Sequence, residues 1–232
     1  MGERVLPQGS GRTDTGVHAL AQVASFSLEA SIPAANLQRA LNRCLPPSIR
    51  VLSAELAAPE FHARHSALRK TYEYRIFPLK SADPGSVDGS ERICPPTLAP
   101  YVWPCPWPLS ADALNRAAAH VVGRHDFTSF AAADPDLATR TSAATDCSRT
   151  AIRTISHSAW HVEDGLFVYR VTANGFLHHM VRNLVGTFVQ AGAHRLDPDS
   201  IPDILAACNR SAAGPTAPAS GLFLVSVEYA PT

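Results

Sequence analysis

AIRTISHSAWHVEDGLFVYRVTA, residues 151–173, holds two runs of strand composition, 151–162 and 166–173, on either side of Glu163-Asp164-Gly165. β-Branched and aromatic side chains suit a pleated, half-buried surface, and Asp-Gly supplies the positive φ of a tight reversal, so the stretch predicts an antiparallel hairpin. Strands joined this closely argue against a doubly wound parallel sheet, where a helix separates each strand from the next. Strand composition returns at QVASFSL (22–28), RVLSAEL (50–56), KTYEYRIF (70–77) and GLFLVSVEY (221–229). Helical spacing lies between them. Ser31 with Pro33 opens one helix, with Leu37, Ala40, Leu41 and Cys44 on one face; Ser110 opens another, with Leu114, Ala117, Ala118, Val121 and Val122, closed by Gly123. A third helix runs from about Gly175 to Ala193, and a fourth follows Ser200 and Pro202. The apolar stripes predict docking on sheets, giving an α/β protein of the α+β type with mixed or antiparallel sheets and packed helices.

Eight prolines between Pro78 and Pro108 surround SADPGSVDGSE, and proline, lacking an amide donor, excludes helix and central strand there. The stretch reads as a surface excursion carrying Trp103 and Trp107. A second polar loop is expected at 131–150. A boundary near residue 60 gives two parts: 1–60, carrying the segment around Asp14, and 61–232, carrying the proline-rich insertion of 78–108.

The chain has 232 residues, 46% of them apolar, with 20 cations balanced by 20 anions. With no net charge, a polyanionic partner has to be held by a local patch. Eighteen of the cations are arginine, which forks onto phosphates, although a GC-rich genome produces the same bias. Nine cations face six anions in residues 1–75, against eleven and fourteen beyond, a weak basic bias towards the N-terminal side. Five scattered cysteines without a Cys-x-x-Cys pair argue against a disulfide framework or a structural zinc site. No run approaches the ~20 apolar residues of a membrane span, so the chain reads as soluble and cytoplasmic.

QGSGRTDTGVH (8–18) sets one carboxylate, Asp14, among three glycines, with Arg12 before it and His18 after it. Gly-rich backbone brings a side chain close to a ligand, and a neighbouring guanidinium favours an ionised carboxylate. The same residues also spell a simple Asx turn. A phosphate loop is excluded because no lysine follows these glycines. Asp14-Thr15-Gly16 matches the Asp-Thr-Gly of an aspartic peptidase, but the second copy needed for a shared-proton dyad is missing and Arg12 sits beside the aspartate.

GRTDTGVHA (11–19) resembles the signature of the tRNA pseudouridine synthase A family, and further segments follow in the family's order. They are FHARHSALRKTYEYRI (61–76), HDFTSFA (125–131), CSRTAIRTI (147–155), FLHHMVRNLVGT (176–187) and GLFLVSVEY (221–229). The resemblance implies the pseudouridine synthase fold, two similar subdomains with a cleft between them. It also implies isomerisation of uridine to pseudouridine at positions 38, 39 and 40 of the tRNA anticodon arm, by a cytoplasmic homodimer without cofactor or metal. Asp14 then acts as nucleophile or as stabiliser of positive charge on the sugar, Tyr72 stacks on the target base, and Arg182 pairs with Asp14. Arg12, His18, Arg64 and Arg69 are candidates for substrate binding. Tyr74, on the same face of the strand as Tyr72, reads as a packing residue. The family also carries a Tyr-Asp-Gly and Gly-Trp-Gln strand and a helix ahead of its GRTD segment, while this sequence starts at Met1. Either an in-frame extension lies upstream, or the chain is a catalytically inactive RNA-binding remnant.

His178 and His179 raise the question of a metal pair. On a helix, adjacent residues diverge by ~100° and no third ligand stands nearby in the sequence, so no metal is expected.

Overall fold

A computed structural model describes residues 4–80, 92–133 and 151–230 of the chain. The polar stretch from 134 to 150, with Cys147, and all of SADPGSVDGSE fall outside the described residues. In chain order the elements are β1 (Gln8–Gly9), β2 (His18–Ala19), β3 (Ala24–Ser25), α1 (Ala34–Cys44), β4 (Ala67–Pro78), β5 (Trp103–Cys105), α2 (Ala111–Ala119), β6 (Gly123–Asp126), β7 (Ile152–Glu163), β8 (Leu166–Ala173), α3 (Met180–Gly192), α4 (Ile201–Ala206) and β9 (Leu222–Tyr229). Contacts divide them into two units. Residues up to Arg12 with Val23–Ala67 form the smaller, and Thr13–Gln22 with the chain from Leu68 onward form the larger. The Asp14 segment thus groups with the larger unit rather than with residues 1–60, because β2 pairs with β9, His18 opposite Phe223.

The larger unit is built on a mixed sheet in the order β2-β9-β4-β8-β7-β6, with β5 beside β4. β2–β9 and β4–β5 are parallel, while β4–β8, β7–β8 and β6–β7 are antiparallel. The hairpin expected at 151–173 is β7–β8. Asp164 and Gly165 both take positive φ, 51° and 74°, the conformation whose twist matches the flanking strands. The core runs through Tyr74, Ile76, Tyr169, Val171, Leu184, Val185 and Phe188, all fully buried, and α3 crosses it with eleven of its thirteen residues buried.

α2 starts where Ser110 predicts, its hydroxyl accepting from the Ala113 amide, a cap that contributes about 1 kcal/mol. The side-chain amide of Asn115 then substitutes for a neighbouring strand: it donates to the Trp160 carbonyl at 3.1 Å and accepts from the Trp160 amide at 2.9 Å, fixing α2 to β7. Ser158 donates to the Ala118 carbonyl at 2.8 Å, which leaves its oxygen to accept from the buried Tyr169 hydroxyl at 2.8 Å. A half-buried hydroxyl and a fully buried one are satisfied in one chain of bonds.

Several expectations need correction. Trp103 and Trp107 are not on a surface excursion: β5 pairs with the end of β4, Val102 and Cys105 are fully buried, and both indoles pack against the core, edge-to-face with each other at 6.1 Å. Pro104 is tolerated because β5 is only three residues long and bonds at one margin of β4. α3 begins at Met180, not Gly175, because the preceding residues turn and His179 takes a left-handed φ of 58°.

In the smaller unit, β1 and β3 form a two-stranded antiparallel pair, shorter than 22–28 suggests. RVLSAEL is not a strand. Asn42 and Gln38 of α1 bond the backbone of Val51 and Leu52, taking up groups a strand neighbour would otherwise use. α1 itself has no buried residue, so the docking predicted for its apolar face is not seen among the described residues.

Candidate active site

Asp14 sits one turn ahead of β2. Its carbonyl accepts from the Val17 amide at 3.0 Å, Gly16 between them takes φ 85°, and the chain then runs along β9, with the Leu20 amide donating to Leu224. The segment does reverse the chain, but through a β-turn closed by the Asp14 main-chain carbonyl rather than through an Asx turn, and this leaves the carboxylate projecting from a fixed base. Three side chains, two from the turn before α3 and one from its first turn, surround it.

Arg182 donates through Nη1 to Asp14 Oδ2 at 2.7 Å, and through Nε to the Ala217 carbonyl at 2.8 Å. The Ala217 amide returns a bond to the Arg182 carbonyl at 3.0 Å, so the guanidinium is aimed by the backbone of the segment before β9. His179 Nε2 lies 2.9 Å from the same Oδ2, and His178 Nε2 lies 3.7 Å from Oδ1, beyond hydrogen-bond range. Burial lowers the affinity of His179 for a second proton, with help from the charges of His178, Arg182 and Arg210 and against the pull of Asp14. A neutral His179 still donates its one N–H to the carboxylate. Asp14 is about one-quarter exposed and Arg182 about one-sixth, so the pair is shielded but open to a ligand.

Tyr72, on β4, stands close enough to feel the carboxylate: burial first, and then the charge of Asp14, push its hydroxyl up to about 12. It is neutral at physiological pH. Its ring meets Phe176 edge-on at 4.9 Å. The ensemble is an oriented anion beside a neutral phenol and apolar rings, suited to stabilising or attacking an electron-poor carbon next to a planar group.

A family model described as tRNA pseudouridine synthase matches residues 117–230. Over 98% of its length this chain is 45% identical to tRNA pseudouridine synthase A of Solibacter usitatus, covering 84% of that protein. The corresponding protein of Moorella thermoacetica is 43% identical, with 83% of it covered, and tRNA pseudouridine synthase A 1 of Bacillus cereus is 39% identical, with 83% covered. The chain belongs to the tRNA pseudouridine synthase A family.

Set within that family, the remaining candidates divide. Asp14, Tyr72 and Arg182 come together as described. His18 is turned to structural work: its Nε2 donates to the Pro100 carbonyl at 2.9 Å, and its ring stacks on Phe223 at 4.8 Å and leans on Tyr101 at 5.0 Å. Arg12 and Arg64 are exposed in the smaller unit, and Arg69 is exposed on β4, where Glu228 lies 3.7 Å away. Tyr74 is fully buried, donating to the Pro218 carbonyl at 2.7 Å, in keeping with a packing role.

His178 and His179 are the residues that sequence reasoning misassigned. They lie in a turn, not a helix, with rings 3.9 Å apart, and Asp14 supplies the third donor that the local sequence lacks. A His-His pair followed three residues later by the family arginine was the available signal. Read as helix, it put the two rings on different faces.

Also missed was the support behind Arg182. The buried Asn183 donates to the Phe130 carbonyl at 2.8 Å and accepts from Thr216 at 2.7 Å and from Arg210 at 3.1 Å. This network ties α3 to the segment that carries Ala217.

Proposed function

We propose that this protein converts uridine to pseudouridine at positions 38, 39 and 40 of the tRNA anticodon arm, with Asp14 as the reacting carboxylate. The observation that carries the reading is the carboxylate gripped by Arg182 and His179 beside a neutral Tyr72, in a chain of this family. The isomerisation breaks the N1–C1′ bond, forms a C5–C1′ bond, takes a proton from C5 and returns one to N1. Nothing is oxidised or hydrolysed. Asp14 attacks as nucleophile, or stabilises the positive charge that develops on the sugar. Arg182 and His179 hold it aimed, so little reorganisation is needed as the charge changes. Tyr72 stacks on the base, and its protonated hydroxyl is a donor rather than a base.

The target nucleotide has to leave its stack, at a cost of a few kcal/mol that phosphate contacts offset. Arg12, Arg64 and Arg69 are our candidates for those contacts. A cytoplasmic homodimer gripping tRNA across both copies completes the reading.

Asp14→Asn tests it, because the amide keeps the shape and loses the charge. Tritium release from 5-tritiated uridine in tRNA should fall to background while tRNA affinity stays within about twofold of wild type. Turnover by the folded variant would remove the assignment. A wild-type chain that binds tRNA and releases no tritium would leave an RNA-binding remnant instead.

A further inference from the structure

The cluster around Asp14 has a property that the isomerisation does not use. Nδ1 of His178 lies 2.9 Å from the Ala133 carbonyl, and a carbonyl only accepts, so the proton of a neutral His178 sits on Nδ1. The backbone carbonyl of His178 in turn accepts from the Ala132 amide at 3.0 Å, which fixes the residue at both ends. Its Nε2 lone pair therefore faces Asp14 Oδ1, an acceptor opposite an acceptor at 3.7 Å with no proton to share. In that neutral form two acceptors face each other, an arrangement relieved either by a second proton on the imidazole or by a metal cation between them. The separation is close to the ~3.4 Å that a nitrogen and an oxygen have across a tetrahedral zinc at bonds of about 2.0 Å.

His179 Nε2 joins the other two, and the three ligand atoms lie within 4.8 Å of one another. We propose that His178, His179 and Asp14 form a reversible site for Zn2+, with an open fourth position, and that its occupancy withdraws Asp14 from the reaction. Two imidazoles and a carboxylate suit zinc better than magnesium or calcium. The carbonyl of Ala133 behind His178 and the guanidinium of Arg182 on Asp14 Oδ2 are the outer partners that orient such ligands. On binding, His179 changes tautomer, its one proton moving by exchange through solvent from Nε2 to Nδ1 so that the Nε2 lone pair is freed, and Oδ1 binds the metal while Oδ2 stays with Arg182. The nearby charges of Arg182 and Arg210 weaken the site, which makes zinc an inhibitor rather than a resident cofactor. The site rests on geometry alone; its inhibitory consequence rests on Asp14 being the reacting carboxylate.

The test uses the full chain stripped of metal. Zn2+ binding is measured by equilibrium dialysis and Co2+ binding by visible absorption, for wild type and for folded His178→Gln and Asp14→Asn. Wild type is expected to take up one Zn2+ per chain and to show the intense bands of tetrahedral Co2+, with both variants weakened at least ~10-fold. Tritium release should fall in step with Zn2+ occupancy and return on chelation. Equal binding by wild type and both variants would place the metal elsewhere, for instance at the His62–His65 pair, whose rings are 4.3 Å apart, and would overturn the proposal. So would the absence of saturable binding below about 1 mM, or full turnover at saturation. A metal-free chain without turnover would remove the functional reading, while the Co2+ spectrum would still decide the site.

Discussion

Arg182 is the residue that aims Asp14 and sets a positive charge beside it. It bonds the carboxylate with one arm and the Ala217 carbonyl with another, so its loss strips Asp14 of a partner and leaves a backbone acceptor open. Both side chains keep some solvent contact, and Arg182→Met should therefore cost about 2 kcal/mol of stability, less than a fully buried pair. Turnover, corrected for the folded fraction from a urea titration, should fall roughly 100-fold, because a misplaced carboxylate loses its line of approach. Arg182→Lys keeps the charge without the planar fork and should fall between wild type and Met. A Lys variant no better than Met would mean that geometry, not charge, is what Arg182 supplies.

At the scale of elements, two junctions can be tested. α3 crosses the segment before β9 so closely that a Cβ on Gly186 would lie 1.7 Å from the Pro215 carbonyl oxygen. Gly186→Ala must push the helix away from the backbone that aims Arg182, and it should cost about 3 kcal/mol and lower turnover of the folded fraction as well. Unchanged turnover would show that the crossing is structural only. The second junction lies within the sheet, where Glu73 of β4 is almost fully buried and accepts from Arg170 Nε at 2.7 Å and from Arg75 Nε at 2.8 Å. Burial raises its pKa, but the hydrogen bonds and charges of Arg170 and Arg75 outweigh that and hold the carboxyl below its ordinary 4.5. A group depressed in the folded state contributes stability above its unfolded value and loses it as pH falls through the folded one. Urea titrations should thus show stability dropping below pH 4.5, with Glu73→Gln flattening that part of the curve. A slope identical in the variant would assign the acid sensitivity to other carboxylates.

For the whole molecule the formal charge is zero, so tRNA affinity has to come from local cations, and its salt dependence counts them. Replacing Arg12, Arg64 and Arg69 together by Ala should weaken tRNA binding and reduce the slope of log K against log salt by about two to three. The Arg69–Glu228 pair is more than half exposed on one side and half exposed on the other, and at 3.7 Å it offers little competition to a phosphate. Filter binding across a salt series measures the slope. An unchanged slope would move the tRNA contact to other arginines.

Elements with their own local signal were legible in the sequence. β7–β8 follows from two apolar runs around Asp-Gly, β4 and β9 from strand composition, and α2 from Ser110, because turn chemistry, period and caps act over a few residues. The GRTDTGVHA, FHARHSALRKTYEYRI and FLHHMVRNLVGT segments likewise pointed to Asp14, Tyr72 and Arg182. What the sequence could not set depends on partners far along the chain. RVLSAEL has the composition of a strand, yet its backbone bonds go to Gln38 and Asn42 of a helix. Trp103 and Trp107 lie among prolines, yet they pack on the core because β5 finds the free end of β4. His178 and His179 look like one turn of helix, and the left-handed φ of His179 turns both rings toward a carboxylate more than 160 residues upstream. Local sequence determined the elements and the candidate groups. Which groups touch was decided by tertiary structure, because contacts between residues so distant in the chain exist only once the sheet and α3 have packed.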